Sequence, residues 1–263
     1  MSDMEYRIEG SDLQFVQVML APGETMVGEP GAMMYLDEGI TMDTRLGDGV
    51  DEGIFSRLLG ALKRAFTGES MFSTLFENAT ARPLRMAFAA PAPGKILAID
   101  LATNGGSLIC QKGAFLAGTQ GVRVGLAFKK RLRVGFFGGE GFIMQRLTGH
   151  GIAFIHATGS LTEIQLAPGQ MLRVDTGCLA ALQTSATYDI KYVGKLKTTL
   201  FGGEGMFFAH LKGPGTVWLQ SLPIKRLVKT LAAGSRPRGI GARLLYFALV
   251  ILGVLAAILS ESP

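Results

Sequence analysis

Three histidines, three glycine-flanked glutamates, two cysteines and one dense basic run are the residues of this 263-residue chain whose types and spacing could do chemistry. A metal site in a β-rich protein needs clustered imidazoles and carboxylates. His150 and His156 share a strand face only if 151–155 runs straight, and His210 stands alone, with no His-x-His or His-x-x-x-Glu-His spacing nearby. They read as ordinary strand or turn histidines, and no metal and no cofactor is expected. Glu69, Glu140 and Glu204 each follow a glycine, two of them Gly139 and Gly203. A carboxylate at such a turn accepts hydrogen bonds from exposed backbone N–H groups and fixes the turn. They are therefore expected to be structural repeat turns, not catalysts. The glycine-rich segments at 138–141 and 202–205 lack the Gly-Lys-Ser/Thr of a phosphate loop. No Gly-x-Ser-x-Gly nucleophile elbow occurs either. Cys110 and Cys178 form no CxxC and sit in apolar, strand-like surroundings, which suits buried thiols in a reducing compartment. The chain reads as non-enzymatic.

Lys129-Lys130-Arg131-Leu132-Arg133 could contact nucleic acid, but single-stranded RNA also needs exposed aromatics on which bases stack. Phe128, Phe136 and Phe137 occupy strand positions that a core would claim. The net charge of +5 points the same way once it is located. Residues 205–260 contain seven basic residues and no acid. The rest of the chain is close to neutral. Nucleic acid is thus the weaker alternative, as an RNA- or small-ligand-binding ring.

The elements that must hold these residues are short strands. Glycine, at 36 of 263 residues, is about twice its usual frequency, without a collagen period, so it marks turns. Segments such as Val122–Leu126, Leu132–Phe136, Ile152–Ile155 and Leu161–Leu166 alternate or run briefly apolar between those turns. That is the pattern of a sandwich or rolled sheet. The Gly-Glu turns recur at 69, 140 and 204, and a second marker, Pro-Gly, recurs at 22–23, 93–94 and 168–169. Both intervals are near 70 residues, so three tandem β-sandwich/roll repeats are expected, at about 13–91, 92–166 and 167–222 of a body spanning 1–225. One helix interrupts the pattern: at 54–66, Phe55, Leu58, Leu59, Leu62 and Phe66 fall on one face.

These turns, together with Gly31-Ala32-Met33-Met34-Tyr35-Leu36 and the ending Gly215-Thr216-Val217-Trp218-Leu219-Gln220-Ser221, resemble the altered inheritance of mitochondria protein twenty-four family and its bacterial relatives. The resemblance covers about 13–222. It implies repeats similar to subunits of the tryptophan RNA-binding attenuation protein, three per chain and three chains per ring. It implies no established chemistry, and its mitochondrial members are associated with inner-membrane organisation.

Beyond the body, 226–239 reads as a basic linker and 240–260 as a transmembrane helix. Leu244 to Leu259 is apolar apart from the Tyr246 hydroxyl, and the 21 residues of 240–260 reach about 31 Å. Arg236, Arg238 and Arg243 flank its N-terminal side, which the positive-inside rule puts in the cytoplasm. The N-terminus has no secretory signal pattern. The expectation is a membrane-anchored oligomeric scaffold or binding protein, a trimer, with membrane lipid among its partners, a single-pass C-terminal anchor and the body in the cytoplasm.

Overall fold

The computed structural model describes residues 4–46, 72–130, 142–192, 207–224, 226–228 and 231. These residues form an all-β protein of several antiparallel sheets. After an opening strand β1 (Glu5–Glu9), the strands fall into three successive groups of six. The first comprises β2 (Phe15–Leu20), β3 (Thr25–Gly28), β4 (Met33–Leu36), β5 (Ile40–Leu46), β6 (Phe72–Asn78) and β7 (Leu84–Ala89). In the second are β8 (Gly94–Asp100), β9 (Ser107–Gln111), β10 (Phe115–Thr119), β11 (Val122–Lys130), β12 (Phe142–Gly149) and β13 (Ile152–Thr158). The third holds β14 (Leu161–Leu166), β15 (Met171–Asp175), β16 (Leu179–Gln183), β17 (Thr187–Tyr192), β18 (Phe207–Lys212) and β19 (Gly215–Gln220).

Pairing follows one order in all three groups. The sixth strand lies between the first and the third, and the fifth between the second and the fourth. Even the irregularity recurs: the third strand is bulged against the sixth at Met33/Tyr35, Phe115/Ala117 and Leu179/Ala181. A bulge adds twist and re-aims the residues after it. In each group those residues lead to a hydrogen-bond acceptor just past the bulge, Asp37, Thr119 or Gln183. β14 pairs with β19, so pairing assigns 161–166 to the third group, whereas the sequence markers place it in the second.

Neighbouring groups share sheets. The second strand of one group pairs with the third strand of the next, β3 with β10 and β9 with β16. Four sheets result, in the orders β1-β2-β7-β4, β5-β6-β3-β10-β13-β8, β11-β12-β9-β16-β19-β14 and β15-β18-β17. Three cores lie between successive sheets. The first includes Val16, Phe76, Phe88 and Phe154, the second Leu101, Leu108, Phe115 and Trp218, the third Phe142, Leu179, Leu211 and Val217. The two middle sheets are covered on both faces, which is why β10 and β16 are buried almost end to end and read as continuous apolar runs instead of alternating ones. By contrast β2 alternates strictly.

The body, Met1–Ile224, is one compact unit and Lys225–Pro263 another. The expectation of a C-terminal membrane anchor is not supported by the described residues. Among the described residues no helix is long and apolar enough to cross a membrane. The helical positions described beyond the last strand are 224, 226–228 and 231. They include Arg226. The segment 240–260, its flanking Arg236, Arg238 and Arg243, and the helix expected at 54–66 lie outside the described residues.

Candidate functional site

The glutamates singled out by spacing, Glu69, Glu140 and Glu204, with Gly139 and Gly203, lie outside the described residues. In sequence each falls between the two strands of an antiparallel pair, β5/β6, β11/β12 and β17/β18. The three histidines are not brought together. His150 is exposed in the turn from β12 to β13; His156 is buried in β13; His210 is in β18, opposite Arg173 and Asp189. Among the described residues no group of three His, Cys, Asp or Glu could hold a metal. Cys110 is fully buried, and burial pushes its thiol well above the usual range; Cys178 is only half-buried, and neither is in a disulfide. Phe128, beside the basic run, packs edge-to-face on Tyr188 with ring centroids 5.7 Å apart, inside the third core.

Sequence spacing did not reveal two other features. The first concerns two of the edge strands. Inside the chain every second strand pairs with the following group's third strand, which leaves β4 at one end and β15 at the other without such a partner. Both are partly exposed: Met34 is 53% and Met171 67% accessible. β1 covers the opposite edge of the first sheet, on β2, so it leaves β4 open.

The second is a repeated polar device at the junctions. Asp37 follows β4, Thr119 ends β10 and Gln183 ends β16. Each accepts a hydrogen bond from the backbone N–H at the matching point of the sixth strand: Arg85 to Asp37 at 2.9 Å, Ile152 to Thr119 at 3.2 Å, Thr216 to Gln183 at 2.8 Å. Hydrogen bonds from the Arg85 backbone and side chain hold the Asp37 carboxyl below its usual range. Glu29, just after β3, is raised instead, because burial outweighs the attraction of Lys112. At the first junction the turns around Thr25, Thr119, Gly121 and His150 border a cleft of about 740 Å3 that also receives Glu24 and Arg123.

The sequence profile described as Mitochondrial biogenesis AIM24 matches residues 6–222, nearly all of the β-body. An uncharacterised protein of Streptococcus pyogenes serotype M6 is 29% identical over 232 residues, covering 87% of this chain and 90% of its own. A crystal structure of a Streptococcus pyogenes protein is similar at a TM-score of 0.69 and 25% identity, covering 88% of this chain and 99% of that one. With the profile spanning the three groups of strands from β1 to β19, the chain belongs to the Mitochondrial biogenesis AIM24 family.

Proposed function

We propose that the protein is a non-enzymatic scaffold or binding protein that assembles head to tail with copies of itself, β15 of one protomer adding to β4 of the next. The observation that carries this reading is the pairing left over at the two ends. Two internal junctions use one rule, and the two strands that would satisfy it a third time, β4 and β15, are edge strands of the first and last sheets. An open edge is a row of unpaired backbone donors and acceptors, a template for another strand. A contact between different surfaces of identical chains closes into a ring when its rotation permits. The recurrence of pairing supports reading the groups as copies of one unit, and the resemblance drawn from the sequence favours a ring of three chains.

The internal junctions also supply a register. Met26 lies opposite Thr119, and Leu108 opposite Gln183. Leu172 corresponds to Met26 and Leu108, because each faces the matching residue of the fifth strand, Leu211, Phe76 and Leu147. Asp37 corresponds to Thr119 and Gln183. Leu172 is therefore set opposite Asp37 of the next protomer, Arg173 opposite Leu36 and Val174 opposite Tyr35. Directly opposed residues bring their Cα atoms about 4.5–5.5 Å apart, within disulfide reach. Leu36→Cys with Arg173→Cys, in a Cys178→Ser background, is expected to give disulfide-linked trimers on a non-reducing gel. Neither single variant should. A chain that sediments as a monomer and does not cross-link overturns the proposal.

A further inference from the structure

The cleft at the first internal junction is lined by several groups that can donate hydrogen bonds, one of them buried without a partner. Thr25 is 6% accessible, and its hydroxyl has no hydrogen-bond partner although it is buried. A buried hydroxyl left unpaired costs free energy that a ligand can recover. Thr119 uses its oxygen to accept from the Ile152 N–H, which leaves its own proton to be given. Arg123 lies directly opposite Thr148 in the β11/β12 ladder, so guanidinium and hydroxyl project from the same face beside the cleft. His150 leans its ring over Gly121, where a Cβ would stand 2.7 Å from two ring atoms, so only glycine admits the ring. Glu24 is the one acid of the lining, and it already accepts from the Ala21 N–H at 2.9 Å.

The second junction repeats the essentials by other residues. Ser107 occupies the place of Thr25, one residue before the strand position that faces the next group, and its hydroxyl too is buried without a partner. There the cation and the threonine have exchanged strands, Thr187 opposite Lys212. In the first group the same cross-strand position holds Thr41 opposite Glu77, with no cation. A buried hydroxyl without a partner in the second strand and a cation opposite a threonine in the next group's fourth and fifth strands thus occur at both internal junctions.

We infer that the first-junction cleft binds a small hydroxylated oxyanion, a polyol phosphate being the simplest chemistry that satisfies it. Arg123 meets the oxyanion through charge-assisted hydrogen bonds, Thr25 and Thr119 donate to its remaining oxygens, and a ligand hydroxyl gives Glu24 a donor. The site lies within one chain, so it does not depend on assembly. Its cation is at the rim, so binding weakens as salt rises.

The test is isothermal titration of the full chain with glycerol 3-phosphate, inorganic phosphate and glycerol. Saturable binding of glycerol 3-phosphate with none of glycerol is expected. Inorganic phosphate binding as tightly as the ester would identify free oxyanion as the source of the same chemistry. Arg123→Gln, at an exposed position, should fold as the parent and weaken binding about tenfold or more, the loss of a charge-assisted contact. Arg7→Gln, on β1 outside the cleft, should leave it unchanged. Absence of saturable binding by both anions up to roughly 10 mM, or equal affinity in Arg123→Gln and the parent, overturns the inference.

Discussion

His156 is almost wholly buried, its ring bonds the Ala92 carbonyl, and its Nε2 has no partner. Burial depresses its affinity for a proton below the ordinary 6.5. The unfolded chain then binds the proton first, so the contribution to stability is complete above pH 6.5 and declines as pH falls from there through the lower folded value. Glu29 opposes this at more acid pH: its raised folded value means stability lost as pH rises from 4.5 through that value. The expected outcome is that His156→Gln flattens the dependence of chemical-denaturation midpoint on pH below 6.5, leaving the Glu29 trend. Glutamine is apt because Gln220 holds the corresponding place in β19, where it bonds Gln111 and the Gly177 carbonyl. At the junction device, Thr119→Val deprives the Ile152 N–H of its acceptor and should cost about 1–2 kcal/mol in equilibrium unfolding. This device was not legible in the sequence, because a carboxylate, a hydroxyl and an amide do one job and share no letter.

At the scale of elements, the strands were legible and their grouping less so. Glycine turns and alternation identify short strands, and the bulged third strands show no sequence mark because a bulge is a property of a pair. The Pro-Gly marker was partly misleading. Ala21-Pro22-Gly23 and Ala167-Pro168-Gly169 are the same turn, between first and second strands, with Gly23 and Gly169 at positive φ. Glu24 and Gln170 reach back from it to the Ala21 and Ala167 N–H groups. Pro93-Gly94 instead opens β8; the matching turn of the middle group, at 101–106, is held by Asp100 and Asn104 without proline. The edge strands yield a prediction of their own. Met34→Lys with Met171→Lys places like charges on both open edges at exposed positions. Sedimentation should show loss of self-association, with thermal stability of the monomer within about 0.5 kcal/mol of the parent.

For the molecule as a whole, composition and turn spacing point to an all-β fold and the motifs to the family, while the stacking of four sheets around three cores rests on pairings between residues far apart in sequence. Leu20 meets Leu84, and Gly28 meets Ala117. Such contacts leave no periodic trace. The chemistry of the cleft was hidden for the same reason: Thr25 and Arg123 belong to different groups, and only the junction makes them neighbours.

The rule that joins one group to the next also imposes an order in time. A group closes only when its sixth strand arrives to pair with its first, and its second strand stays open on one side until the following group's third strand has been made. On the ribosome each finished group therefore offers a template to the strands just emerging, and the chain extends by accretion in the direction of its synthesis. In the proposed head-to-tail assembly β4 and β15 each meet their complement only on another chain, so that last pairing would be second order in protein concentration.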